Sequence, residues 1–328
     1  MRAMQISRLG DPWQELAEVD SQIDALPPGA ARVEVAATDL NFADILQCQG
    51  RYQVKLDPPF TPGMGTGGTV VEVNQAPGIA VGDRIVGPTL GPWGGYAEEA
   101  VVLTEQATVV PDGVDMTAAV AAHVTYGTAW FGLHHRGQLK PGETVLVLAA
   151  AGGVGSAAVE LAKIHECWVI AAAGGEAKLA AAVELGADEV VDYDADDLYE
   201  RVMALTDGRG VDVVYDPVGG RYFDIARRLV AWEGRILIIG FASGDIPSAP
   251  ANHALVKNYS IVGVHMGGYR QRDPRPFAEC YGTLHDMLRN DQIHPLTDSS
   301  VGFADLTDGL LRLQNRLSKG RVMFVPDR

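Results

Sequence analysis

The segment Ala149-Ala150-Ala151-Gly152-Gly153-Val154-Gly155 has the residue types that hold a phosphate through backbone rather than through charge. A continuous apolar run, 144–149 (TVLVLA), precedes it, and residues 156–165 after it have helical spacing. Laid on the pattern GxGxxG, Ala150 takes the first glycine's place, Gly152 the second and Gly155 the third. Gly152 lets the chain approach a pyrophosphate closely. Gly155 lets the following helix pack against its strand, and that helix's first N–H groups face the anion. Strand before and helix after predict a dinucleotide site at Gly152, Gly153 and Val154.

The next predicted strand, 168–173 (WVIAAA), runs into Gly174-Gly175. A site for the unphosphorylated dinucleotide places Asp or Glu there, about 20 residues beyond the loop, to accept from the ribose 2′-hydroxyl. No carboxylate follows along this strand until Glu176, and Lys178 stands two residues later. Small residues leave room for a 2′-phosphate, and the Lys178 ammonium can pair with it, so the expected cofactor is NADPH. The competing reading makes Lys178 a solvated surface lysine.

Other chemistries find little support. The eight histidines form no HxxxH, and none pairs with Cys48, Cys167 or Cys280 at ligand spacing. No GxSxG elbow is present. Hydride transfer needs neither metal nor nucleophile, because the cofactor carries the reactive group.

These groups need two kinds of scaffold. Val-rich runs at 31–37, 68–73 and 98–103, broken by Pro and Gly clusters, predict a compact β barrel or sandwich. Asp115-Met116-Thr117 caps a predicted helix, with a second over 125–136. Beyond Glu143, helices at 156–165, 176–186, 196–206 and 221–232 alternate with strands at 168–173, 189–192, 211–215, 235–240 and 259–264, which is the pattern of a doubly wound parallel sheet. Helices over 275–290 and 304–318 and a strand at 321–325 close the sequence. A length of 328 residues suits two domains. The formal charge of −16 argues against nucleic acid and anionic membrane as partners. Few cysteines, no signal core and no run of about 20 apolar residues lead us to expect a soluble, cytoplasmic protein.

Five segments together resemble the zinc-independent quinone oxidoreductase branch of the medium-chain dehydrogenase/reductase superfamily, which includes zeta-crystallin. They are Asn41-Phe42-Ala43-Asp44 with Gly50-Arg51-Tyr52, Pro62-Gly63-Met64, Tyr126-Gly127-Thr128-Ala129, Ala149 to Gly155, and Val214 to Gly220. The resemblance implies an α/β fold: a GroES-like β-rich catalytic domain (1–122), a Rossmann NADPH-binding domain (123–264) and a C-terminal return to the catalytic domain (265–328). It also implies a homodimer joined through the nucleotide-domain sheets.

The same resemblance suggests roles. Asn41, with Asp44 behind it, lies by nicotinamide and substrate, and Tyr52 lines the substrate cleft. Thr128 approaches nicotinamide and pyrophosphate. Gly174, Lys178 and Tyr193 surround the adenosine 2′-phosphate, and Gly240, Phe241 and Ser243 belong to a loop covering the cofactor. Val264, His265 and Met266 meet the nicotinamide, and Arg321 is a basic residue near the cofactor. Gly63-Met64-Gly65 replaces the Gly-His-Glu of the superfamily's zinc enzymes, implying catalysis with no metal. Leu46 stands where some quinone reductases of this branch have a second tyrosine. The implied activity is NADPH-dependent reduction of a small-molecule quinone or conjugated carbonyl. Its rivals are an enoyl-thioester or alkenal reductase and an NADPH-binding structural or RNA-binding protein.

Overall fold

The computed structural model of the chain describes residues 1–52 and 54–327, apart from the side chains at 270 and 271. Two units emerge: Met1–Val124 together with His285–Arg328, and Thr125–Leu284.

In the first unit β1 (Arg2–Ile6) pairs antiparallel with β2 (Leu16–Asp20). The main strands are β3 (Ala30–Asp39), β4 (Gly65–Asn74), β5 (Arg84–Pro88), β6 (Glu99–Leu103) and the short β7 (Thr108–Val109). Alternation sets their faces: Val33 and Val35 on β3 pack with Val70, Ile85, Ala100 and Val102, while Glu34 points outward. Burial of each such Val or Ile stabilises by about 1.5–3 kcal/mol. The expected barrel or sandwich is a GroES-like sheet arrangement with long, partly shared strands.

Residues 116–136 do not form two helices. One helix, Met116–Trp130, begins where Asp115 Oδ1 accepts from Ala118 N at 2.8 Å, and it runs on into a π-helical turn, Phe131–Arg136. The second unit then lays down β8 (Thr144–Leu148), β9 (Trp168–Ala173), β10 (Glu189–Asp192), β11 (Val211–Asp216), β12 (Val230–Ile238) and β13 (Ser260–Gly263). All pairs are parallel, in the order β10-β9-β8-β11-β12-β13. Every residue of β8 is buried, as a central strand covered on both faces requires. The order reverses between β8 and β11, so loops leaving those strands diverge and open a crevice at their carboxyl ends. The predicted helix 221–232 ends at Leu229, because Val230-Ala231-Trp232 already belongs to β12.

The chain then returns through the helix Arg275–Arg289, β14 (Thr297–Val301), the helix Leu306–Gln314 and β15 (Arg321–Phe324). β15 lies between β14, parallel, and β3, antiparallel, completing the order β14-β15-β3-β4-β5-β7 with β6 on β3. The first unit is thus built from both ends of the chain.

Candidate active site

In the first unit, β3 delivers Asp39, and the helix Phe42–Cys48 begins three residues later, directly after Asn41. Asp44, at the helix's third position, reaches back in a capping box: its Oδ2 accepts from Asn41 N at 2.8 Å. The same Oδ2 accepts from the Tyr96 hydroxyl at 2.8 Å, and Oδ1 from Met64 N at 2.9 Å. Asp44 is 0% exposed. Burial, and next the Asp39 charge, push its carboxyl up to about 7, although the three donors pull the other way. Tyr96 is buried too, and burial followed by the Asp44 charge holds its hydroxyl well above the ordinary tyrosine range.

Asn41 is clamped on two sides. Its Nδ2 donates to Asp39 O at 3.2 Å, and its Oδ1 accepts from the Arg321 guanidinium at 2.6 Å. Arg321 also forms an ion pair with the buried Asp39 carboxylate. Asp39 Oδ1 and Arg321 Nε are buried without a hydrogen-bond partner among the described residues. Arg321, on β15, is therefore a neighbour of Asn41, a contact spanning most of the chain. Tyr52 is half-buried, and burial with the Asp44 charge raises its hydroxyl above the usual range.

In the second unit the loop from β8 to the helix Gly153–Ile164 turns at Ala149, which takes a positive φ of 51°. Ala150 N donates to Ala172 O at 3.0 Å and ties the loop to β9. A Cβ on Gly155 would stand 2.2 Å from Ala149 O, so only glycine allows this approach of helix and turn. The helix's first turn leaves the N–H groups of Gly153, Val154 and Gly155 without carbonyl partners four residues back. The loop's shape and donors fit a pyrophosphate.

Gly240, Phe241, Val264 and His265 line one cavity of about 400 Å³ with Ile238, Ile239 and Gly263. Ala242 N and Ser243 N donate to Pro217 O and Val218 O, each at 3.0 Å, so the loop after β12 rests on the loop after β11. Asp216 fixes the latter, accepting from Val218 N and Gly219 N at 2.8 Å. Met266 Sδ lies 3.0 Å from a Cβ placed on Gly127, which puts it beside the turn of helix that carries the half-buried Thr128.

Gly174 and Tyr193 also meet. β10 pairs with β9 so that Asp192 lies opposite Ala173, which brings Tyr193 and Asp194 level with Gly174. A Cβ on Gly174 would stand 3.3 Å from Tyr193 Cε2 and 2.1 Å from Asp194 Oδ2. Asp192 accepts from Gly175 N at 3.2 Å. The end of β9 is therefore not free of acid: the neighbouring strand supplies two carboxylates that counting along β9 alone does not find. Sequence reasoning also passed over Arg221 and Tyr222. The Tyr222 ring lies 4.9 Å from that of Tyr193, and Arg221 Cζ sits 4.8 Å over Tyr222.

Among the described residues no group of three or more His, Cys, Asp or Glu is placed to hold a metal ion. Cys48, Cys167 and Cys280 are buried free thiols.

A doubly wound sheet with a glycine loop at its strand-order reversal, in one chain with a GroES-like unit, is the architecture of a dinucleotide-dependent oxidoreductase. Family models agree: residues 27–112 match the alcohol dehydrogenase GroES-like domain, and residues 153–281 the zinc-binding dehydrogenase family. The quinone oxidoreductase-like protein 2 of Bos taurus is 40% identical over 90% of this chain and 85% of its own length. A homologue of that protein from Nematostella vectensis is 38% identical over 98% of this chain and 88% of its own. A mycobacterial protein solved in complex with NADPH superposes with a TM-score of 0.89 at 29% identity, covering 99% of this chain and 100% of that one. The chain belongs to the medium-chain dehydrogenase/reductase superfamily, in its quinone oxidoreductase-like branch.

Proposed function

We propose that the chain is an NADPH-dependent, zinc-independent reductase of quinones or similar conjugated carbonyls, acting in the cytoplasm as a homodimer. The observation that carries this reading is the glycine loop at the strand-order reversal, where Ala149 O packs on Gly155 so closely that only glycine fits and the following helix starts directly at the loop. Relatives named as quinone oxidoreductase-like proteins and a neighbour bound to NADPH support it.

A bound nicotinamide dinucleotide supplies hydride. The chain's own residues bind and orient. Gly152, Gly153 and Val154 hold the pyrophosphate, Lys178 and Tyr193 the adenosine 2′-phosphate. Thr128, Gly240, Phe241, Ser243, Val264, His265 and Met266 position the nicotinamide end. Asn41 has one amide N–H engaged by Asp39 O and its oxygen held by Arg321, which orients the second N–H as a donor for an oxygen gaining negative charge. Tyr52, raised above the ordinary range, stays protonated at neutral pH and serves as a second donor. Position 64 carries Met in place of the zinc enzymes' histidine, and its backbone N–H donates to Asp44. Homodimer formation is supported by β13, an end strand with Ile261 exposed, beside a helix whose Leu255 is 80% exposed. No described helix is long and apolar enough to cross a membrane.

One observation favours a second reading, an enoyl-thioester reductase. A cavity of about 320 Å³ is lined by Arg136, Arg272 and His265, with Asp273, and could take a substrate phosphate. The test is oxidation of NADPH and NADH with 9,10-phenanthrenequinone, crotonyl-CoA and an alkenal, with and without chelator. Quinone turnover with NADPH, insensitive to chelator, supports the proposal. Binding without turnover of any acceptor overturns it.

A further inference from the structure

We infer that Asp194 and Arg221 set the discrimination between phosphorylated and unphosphorylated adenosine: Arg221 is a second cation for a 2′-phosphate, and Asp194 is an acid at the same strand end that opposes it. The inference rests on the NADPH reading above and adds to it two residues outside the set that the family resemblance indicates.

Three observations meet here. First, the β9–β10 register brings Asp194 level with Gly174, and Oδ2 lies 2.1 Å from the point where a Cβ on Gly174 would stand. The carboxylate thus lies over the strand end whose small side chains leave room for a phosphate. Second, Asp194 is set by its turn: its own N donates to Asp192 Oδ1 at 3.0 Å. Third, Arg221, on the first turn of the helix Gly220–Leu229, rests on Tyr222 and donates to its hydroxyl at 2.9 Å. Tyr222 in turn packs on Tyr193, so the guanidinium belongs to the same ring cluster as Gly174. The Tyr222 hydroxyl, and after it the charge of Asp194, raise the Arg221 pKa.

The consequence is a balance of charges. A 2′-phosphate offers the Arg221 guanidinium a charge-assisted, bidentate partner. It must still sit near an acid, so the preference for the phosphorylated nucleotide is smaller than Lys178 and Arg221 alone would produce. Because both residues are exposed, the effect weakens with salt.

Calorimetric titration of the full chain with 2′,5′-ADP and with 5′-AMP tests this without turnover. Asp194→Asn should tighten 2′,5′-ADP roughly 5- to 10-fold at low ionic strength and change 5′-AMP less than about twofold. The gain should shrink toward about twofold at high salt. Arg221→Ala should weaken 2′,5′-ADP by a similar factor and spare 5′-AMP. A wild-type chain that prefers 2′,5′-ADP, with Asp194→Asn silent or acting equally on both nucleotides, overturns this inference and leaves the NADPH reading standing. A wild-type chain that binds neither nucleotide overturns both.

Discussion

Asp44 should make the first unit less stable as pH rises, against the usual behaviour of a paired carboxylate. Its carboxyl titrates near 7 in the fold because burial and the Asp39 charge outweigh its three donors. In the unfolded chain it titrates near 3.9. The folded protein therefore keeps a proton that the unfolded chain releases. The contribution is complete below about pH 4 and is lost as pH rises through about 7, at about 1.4 kcal/mol per pH unit and about 4 kcal/mol in all. Asp44→Asn removes the titration. It also adds a pH-independent cost of about 1–3 kcal/mol, because Met64 N and Asn41 N both need an acceptor and the amide NH₂ must face one of them. The slope is therefore diagnostic, and the loss at any single pH is not. Hydrogen exchange on first-unit peptides in a urea series isolates that unit from unfolding of the other. Between about pH 5 and about pH 8, wild type should lose roughly 3 kcal/mol more than the variant. Parallel pH curves for the two proteins would refute the assignment of a proton to this buried carboxyl.

Three further outcomes are expected. Lys178→Ala should raise the NADPH KM about tenfold or more while moving the NADH KM less than about twofold, since a charge-assisted bond to phosphate is lost; equal effects in steady-state kinetics would remove Lys178 from the phosphate site. Gly155→Val places a Cβ 2.2 Å from Ala149 O, so the helix must shift off its turn. Calorimetry should then show dinucleotide binding abolished, with the stability of the unit lowered by about 1–3 kcal/mol; retained affinity would contradict the packing argument. Arg321→Met strands the buried Asp39 carboxylate and should cost about 3–5 kcal/mol in chemical denaturation, most of it recovered by adding Asp39→Asn; no recovery in the double variant would mean that the pair is not what Arg321 holds in place.

Local signals told a good deal. The apolar run at 144–149 became β8, buried at every residue, because a central parallel strand has no polar face to declare. The glycine spacing located its turn, and the alternating pattern located most of the second unit's elements. Strand order was not readable from those signals. Misplaced boundaries have a common cause: apolar runs without a breaker. Val230-Ala231-Trp232 extends a helical pattern yet joins β12, and Ala-rich 116–130 continues unbroken into the π turn.

The candidate site shows the same division. The Asn41–Asp44 capping box and the turn of the glycine loop depend on neighbours three or four residues away, which spacing reveals. The Asp194–Gly174 approach depends on the pairing of adjacent strands, and the Arg321 contact with Asn41 joins residues 280 positions apart. Neither leaves a trace in local pattern, because strand neighbours far apart in sequence are chosen by topology: β10 lies parallel beside β9, and β15 antiparallel beside β3.

Since β15 wedges between β3 and β14, the unit that begins the sequence is the last that translation can finish. Residues 125–284 are contiguous and can close their own sheet as they leave the ribosome, whereas β3 must wait for Arg321 to Phe324 with an open edge and an acid at Asp39 lacking its cation. Premature termination within those closing residues would thus yield a molecule whose nucleotide half is sound and whose opening half is exposed to proteases and aggregation.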